Sequence, residues 1–505
     1  MSRFRLPKVR WPGLAAALII LLGFILRLRQ YLSGRSLWLD EAMLALNLVQ
    51  RDFGGLLKPL DYDQGAPIGF LLLEKLGISL LGNGELTLRL PAVLAGCLTL
   101  IFFYLLLRRC LSPAGLLPAL AFFALSERLI YYSSELKQYI FDVFGILALL
   151  LVFLYFAPKP ADESPNPRGW VALLAAGVAV VWFSHASLFV LFGIGLALLW
   201  QNRRNRRKLM AASLVILGWL LSFGAVFLVS LNSLAANQFL MAYWQEYFMP
   251  LPLWGNFSWI ANTLAAMLTY FVPGLPVWLA LLLLLGGLVA LWRLNSSLAL
   301  VFALTLLAAF GAAALGKYPL GGRMLLFTAP ISLGLAGAAF EELSRSLGRF
   351  RKLAVLTVLI LAVSLLSDSA VQGWQNFARP RMQENLHPAL RLLRAKHRPD
   401  DVIYIYPWAE PAFRYYAPFY GFESGQFSAG QADPPQSLAA TEMDIKSLRG
   451  QARVWLLFSH VFEAGGVDEQ EAILAAIDQQ KLGKCRLESR EPGSSVSLYL
   501  CNFSP

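Results

Sequence analysis

Hydrophobic and polar positions fall into blocks along this chain. Long apolar runs such as Leu279–Leu291 and Leu98–Leu107 have no water-facing stripe. A helix at a water surface keeps a polar face, so these runs need lipid or a membrane-buried bundle around them. The pattern predicts eleven spans, at about 12–30, 88–107, 113–128, 138–157, 170–184, 187–201, 210–231, 275–292, 297–315, 323–340 and 353–368. Two shorter apolar segments, 67–82 and 257–274, are ambiguous by hydropathy alone.

Charge decides them. The N-terminus (Arg3, Arg5, Lys8, Arg10), the segment Gln201–Lys208 (QNRRNRRK) and the segment Glu341–Lys352 (EELSRSLGRFRK) are all basic. Short basic loops stay in the cytoplasm. A crossing by either ambiguous segment alone would carry one of these loops to the outside. Both are therefore expected to lie along the outer surface, and Glu74 and Lys75 in the middle of 67–82 suit an interfacial helix. The outer connections are then about 31–87, 129–137, 232–274 and 316–322. Aromatics such as Tyr243, Trp244, Tyr247, Trp254 and Trp259 read as an interfacial belt or as a groove for lipid or sugar.

After Asp368 charges rise and the periodicity changes. His387–Lys396 and Glu469–Gln480 read as helices. Val402–Tyr406 and Val454–Phe458 read as buried strands, and Cys485–Glu488 with Val496–Cys501 as a hairpin around Pro492-Gly493. The expected fold class is a polytopic α-helical membrane protein with a C-terminal extracytoplasmic α/β domain. The expected domains are 1–368, whose outer loop 31–87 carries interfacial helices, and 369–505.

Composition sharpens this picture. The 505 residues are 57% apolar and 15% charged, with mean hydropathy +0.57. A soluble protein carries about 25% charge. The deficit excludes a disordered chain and weighs against a soluble enzyme. The net charge of +12 is topological rather than a sign of a nucleic-acid partner. The apolar stretch from Trp11 is followed by Arg27 and Arg29, not by a small-residue cleavage site, so it reads as a retained span. Cys97 and Cys110 read as packing residues. Cys485 and Cys501 could pair if their region lies outside the cytoplasm.

Adjacent acids at Asp40-Glu41 open the first outer loop. Side by side, each raises the other's pKa, so one could be a general base or both could hold a divalent cation. A plain structural reading is also open, with Asp40 as helix N-cap and Glu41 in the first turn. Arg27, Arg89, Lys137, Lys317 and Arg323 lie on the outer side, where positive charge is disfavoured. They either snorkel to the interface or meet an anionic ligand such as a lipid phosphate. His185, at a tight helical hairpin, is either a hydrogen-bonded turn residue or a contact to phosphate or hydroxyl. No nucleotide cradle, zinc pattern or nucleophile elbow is present in the sequence. A group donor would thus be lipid-linked and reach the site from the membrane.

These segments resemble the polytopic glycosyltransferases of the GT-C fold. Within them they are most similar to glycosyltransferase family 39, which includes protein O-mannosyltransferases and the aminoarabinose transferase acting on lipid A. The resemblance covers roughly residues 12–340. It rests on Asp40-Glu41 and on Ala66–Gly82 (APIGFLLLEKLGISLLG), similar to the family's "PPL-x-YWL…LFG" helix. It continues with Glu85–Leu94 (ELTLRLPAVL), Tyr132–Tyr139 (YSSELKQY, similar to "YSxEARxY") and Arg323 in GGRMLLFTAP, similar to "RYLLPLLP". Lys137 stands where arginine is usual, and Met324 where tyrosine is usual.

The resemblance implies an inverting transfer of a sugar from a polyprenyl-phosphate donor to an acceptor hydroxyl at the outer face of a bacterial inner membrane. Asp40 would be the base, with Glu41 orienting it or sharing a cation. Lys137 and Arg323 would neutralise the departing phosphate, supported by Arg27, Arg89, His185 and Lys317. Tyr132, Glu135, Tyr139 and Glu74 would line the substrate. The resemblance makes no cofactor certain, and a divalent cation stays open. The acceptor is a lipid, glycan or protein; a nucleic acid is not expected. A lipid or glycan transporter, or a non-catalytic assembly subunit of an envelope glycan pathway, remains the alternative. A transporter would want midplane charges and an inverted repeat, which the sequence lacks.

Overall fold

The computed structural model describes residues 11–157, 167–235, 237–346, 365–368, 370–423, 425–430, 438–464, 467–490 and 494–504. They form two compact units. One is drawn from Met1–Leu32, Phe53–Gly82 and Arg89–Pro380, the other from Ser33–Asp52, Asn83–Leu88 and Arg381–Pro505. The expected outer loop 31–87 thus contributes to both.

Helices follow in chain order as α1 (Trp11–Tyr31), α2 (Leu39–Gln50), α3 (Ile68–Leu81), α4 (Glu85–Leu107), α5 (Pro113–Leu125), α6 (Glu127–Tyr132), α7 (Tyr139–Phe156) and α8 (Pro167–Val180). They continue with α9 (Ser187–Asn202), α10 (Arg206–Val226), α11 (Asn232–Ala235), α12 (Gln238–Tyr243), α13 (Phe257–Thr269), α14 (Val277–Leu294), α15 (Ser296–Ala314) and α16 (Ala329–Ser346). Among the described residues seven helices are long and apolar enough to cross a membrane: α1, α4, α7, α10 with its extension to Leu231, α14, α15, and Gly322–Ser346, which includes α16. Crossing takes about 20 residues at about 1.5 Å each. Three further expected spans, α5, α8 and α9, are apolar but have 13, 14 and 16 residues. The expected span at 353–368 falls almost wholly outside the described residues. The two ambiguous segments form α3 and α13, of 14 and 13 residues, too short to cross unaided.

Local chemistry explains several helix starts. Asn205 and Asn295 cap α10 and α15 by accepting from Lys208 N and Leu298 N, each at 3.1 Å. Ser112 precedes Pro113 at the start of α5, and both its amide and its hydroxyl donate to Glu341 of α16, at 3.0 and 2.6 Å. Without a water-driven hydrophobic effect between spans, close approach supplies the packing energy. A Cβ on Gly287 would stand 2.0 Å from Leu335 O, so α14 and α16 meet backbone to backbone. Gly115 and Gly337 bring α5 onto α16 in the same way, a Cβ on Gly115 falling 2.3 Å from Gly337 O.

The second unit is built on a mixed five-stranded sheet. Its strands are β1 (Val402–Ile405), β2 (Ser428–Ala429), β3 (Val454–Phe458), β6 (Lys484–Arg490) and β7 (Ser497–Asn502), in the order β2-β1-β3-β7-β6. A separate hairpin joins β4 (Glu463–Ala464) to β5 (Val467–Asp468). β1 runs parallel to β2 and β3, while β7 is antiparallel to β3 and β6. Every residue of the central strand VWLLF is buried, as its unbroken apolar run requires. The helix His387–Lys396 has the predicted bounds. Cys485 and Cys501 sit opposite one another on β6 and β7 and are joined by a disulfide.

Candidate active site

In the first unit the segment between α6 and α7 is buried despite being polar. Glu135 is fully buried and Lys137 is 4% exposed. The Lys137 ammonium donates to Gln64 Oε1 at 2.5 Å. Gln64 follows Tyr62 and Asp63, which have φ of 62° and 52°. Two successive non-glycine residues in the left-handed region cost about 1–3 kcal/mol each. Asp63 is held there by Asn237, whose side-chain amide donates to Asp63 Oδ1 at 2.6 Å. A strained polar turn is thus pinned at both sides and delivers Gln64 to Lys137.

Arg323 stands at the start of a 3-10 turn, Gly322–Thr328. Its guanidinium lies 5.5 Å from the ring centres of both Tyr139 and Trp244. Tyr139 packs edge-on against Tyr132 at 5.5 Å. Burial pushes the Tyr132 phenol well above its ordinary value, and Glu135 adds to the shift, so the hydroxyl keeps its proton. Arg323, Tyr132, Tyr139 and Trp244 thus gather into one aromatic-walled cationic patch. Glu135 and Lys137 lie on the turn that leads into Tyr139. A compact ammonium and a planar guanidinium suit an anion that needs both charge and directed donors.

The remaining expected residues fare differently. Arg27 is fully buried, and its donors go to the carbonyls of Gly23, Phe123 and Ala124 at 3.1 to 3.3 Å. These bonds give it a structural task at the carbonyl end of α5. Arg89 is 2% exposed beside Tyr31, and Lys317 is exposed. His185 follows Ser184, whose hydroxyl donates to Asp142 at 2.6 Å. The shielded Nε2 of His185 has no hydrogen-bond partner, and burial lowers its pKa to about 4. Glu74 is fully buried in α3 with neither carboxyl oxygen bonded, and burial pushes it well above the usual carboxylate range.

Asp40 and Glu41 belong to the second unit, in the first turn of α2. The expected N-cap role for Asp40 is not what the structure shows. Trp38 is the N-cap, which places Asp40 at the second and Glu41 at the third helical position. Asp40 is half-buried, while Glu41 is fully buried. Glu41 Oε2 accepts from Arg35 Nη1 at 2.9 Å and from Trp38 N at 3.4 Å. Its charge is thus matched by Arg35, itself 1% exposed. Glu41 is thus fastened into the protein, while Asp40, one residue earlier on the same turn, is half-buried. Among the described residues no group of three or more His, Cys, Asp or Glu side chains gathers to hold a metal ion.

Sequence reasoning did not single out Gln64, Trp244 or Arg35. The tight DYDQG turn was the only local signal for Gln64. Trp244 was grouped with the aromatic belt, and its place over Arg323 depends on a contact far along the chain.

The family described as dolichyl-phosphate-mannose-protein mannosyltransferase matches residues 65–230. That stretch contains α3, the Tyr132–Tyr139 segment and His185. No curated protein sequence matches the chain. Among solved structures, ArnT from Cupriavidus metallidurans in the apo state is 14% identical with a TM-score of 0.54, covering 98% of each chain. The same protein bound to undecaprenyl phosphate is 14% identical with a TM-score of 0.55, covering 97% of this chain and 98% of that one. The oligosaccharyltransferase AglB from Archaeoglobus fulgidus, in complex with an inhibitory peptide and a dolichol-phosphate, is 13% identical with a TM-score of 0.50. It covers 90% of this chain and 70% of that one. The chain has the GT-C fold, a multi-pass helical membrane part followed by a small sheet domain.

Proposed function

We propose that this chain is a membrane glycosyltransferase that takes its sugar from a polyprenyl-phosphate donor. The observation that carries the reading is the Arg323 patch, walled by Tyr132, Tyr139 and Trp244, with Lys137 held by Gln64 on the turn before Tyr139. Such donors suit a phosphate that gains charge as it departs. The matching family description names a dolichyl-phosphate mannose donor, and two of the similar structures hold undecaprenyl phosphate or dolichol-phosphate.

In this mechanism the acceptor oxygen attacks the anomeric carbon from the face opposite the phosphate. The bond from that carbon to the phosphate oxygen breaks, and its electron pair stays on polyprenyl phosphate. Lys137 and Arg323 stabilise that charge. Asp40 takes the proton of the attacking hydroxyl, a role typically contributing about 10²–10⁴-fold. A phosphate leaving group needs no acid. Glu41 fixes the helix that carries Asp40 and is not a partner in proton transfer. The Cys485–Cys501 disulfide supports an extracytoplasmic second unit, since such bonds persist in oxidising compartments. The acceptor is a hydroxyl on a lipid, glycan or protein at the outer face of a bacterial inner membrane.

The test is incubation of the purified protein with a panel of radiolabelled polyprenyl-phosphate sugars and envelope lipid acceptors. Release of free polyprenyl phosphate with transfer of label, and a product of inverted anomeric configuration, is expected. A panel in which donors bind but are carried across vesicles without cleavage would favour a transporter instead.

A further inference from the structure

We propose that Glu384 is a positioning residue for Asp40. It lies in the part of the second unit that follows the membrane helices, yet it holds the N-terminus of α2. The inference rests on the reading of Asp40 as the base.

A helix N-terminus leaves its first amides without intrahelical partners. Here the N-cap is Trp38, whose indole offers no acceptor oxygen, so α2 lacks the usual side-chain cap. Three successive amides are instead each met by a different side chain. Leu37 N donates to the Tyr416 hydroxyl at 2.7 Å, Trp38 N to Glu41 Oε2 at 3.4 Å, and Leu39 N to Glu384 Oε2 at 3.1 Å. Ser36 adds a fourth tie, donating to the Glu384 carbonyl at 2.9 Å and accepting from Leu386 N at 3.0 Å. Glu384 comes from 345 residues further along the chain than Leu39.

Glu384 is itself fixed. It is 3% exposed, and its Oε2 also accepts from the Ser459 hydroxyl at 3.1 Å. Its Oε1 lies 2.6 Å from His460 Nδ1. His460 holds φ at 53°, a left-handed conformation that a side chain adopts at a cost, and its ring lies 6.0 Å from that of Trp38. An acidic side chain at this end of a helix also complements the helix dipole. The residue after Leu39 is Asp40. Whatever sets the Leu39 amide therefore sets the direction in which the Asp40 carboxylate leaves the helix. Misplacing a catalytic group by about 1 Å can cost about 10²-fold.

The test uses full-length purified protein with a polyprenyl-phosphate sugar. Glu384→Ala is expected to lower kcat about 10²-fold while the donor KM stays within about twofold. Glu384→Gln keeps the length and one acceptor oxygen for Leu39 N, and is expected to recover most of that loss. A general folding defect would not be rescued by one oxygen in this way. Should Glu384→Ala elute as aggregate, Glu384→Asp takes its place, being one methylene too short to reach the amide. Wild-type kcat in the Ala or Asp variant, or a Gln variant as slow as Ala, would overturn the proposal. Asp40→Asn is assayed alongside. Turnover retained there defeats the base assignment, whereas an inert Asp40→Asn beside a fully active Glu384→Ala defeats only the positioning role.

Discussion

Replacing Glu41 with glutamine separates the two roles open to the acid pair. Glu41 and Arg35 form an ion pair at 2.9 Å with side chains 0% and 1% exposed. Removing one partner of such a buried pair typically costs about 3–5 kcal/mol, because the other charge stays buried. Glutamine keeps the shape and an acceptor for Trp38 N, so the lower end, about 3 kcal/mol, applies. For a domain of this size about 1 kcal/mol moves the melting temperature by about 2–4 °C, which gives a drop of about 6–12 °C. Thermal unfolding of detergent-purified protein, followed by intrinsic fluorescence, reads this directly. Adding Arg35→Met to Glu41→Gln removes the stranded charge and is expected to restore much of the loss. An unchanged midpoint in Glu41→Gln, with activity that returns on adding a divalent cation, would refute the reasoning and put Glu41 on a metal.

Three further outcomes follow from the first unit. Lys137→Met and Arg323→Ala are each expected to lower kcat about 10²–10³-fold in transfer assays, and Arg323→Lys to recover only part, because the fork is lost. A Cβ on Gly321 would stand 1.6 Å from the Tyr247 ring, which lies 5.7 Å from Trp244. Gly321→Ala is therefore expected to disturb the wall of Arg323 and weaken donor binding about tenfold, and Tyr247→Ala to relieve it in the double variant. His185 has its folded pKa lowered to about 4 by burial. Its neutral form stabilises the fold fully above the unfolded value of about 6.5, and that contribution is lost as pH falls towards 4. Comparing acid unfolding of wild type with His185→Asn isolates this slope, which the variant should lack.

Much of the architecture was legible because it rests on local pattern. VWLLF could only be a strand buried on both faces, and His387–Lys396 showed its helical period within ten residues. The basic loops bounded the spans. What was not legible depends on distant partners. Asp40 looked like an N-cap because acids often are, but the capping oxygen comes from Glu384, far along the chain. Arg27 could be read as snorkelling or as meeting a ligand, and its bonds to the carbonyls at the end of α5 come from residues far along the chain. The division of the 31–87 segment between two units leaves no periodic trace either, since Ser33–Asp52 and Phe53–Gly82 each carry one short α-helix, α2 and α3, and the break falls in the turns between them.

Transfer by Asp40→Asn in a single-turnover assay tests the central claim most directly. Enzyme in excess over a labelled polyprenyl-phosphate sugar and its acceptor would be quenched over time, with donor binding measured separately. The account predicts that the variant folds and binds donor as the wild type does, yet forms no glycosylated product and releases no polyprenyl phosphate. Product formed at the wild-type rate would contradict it.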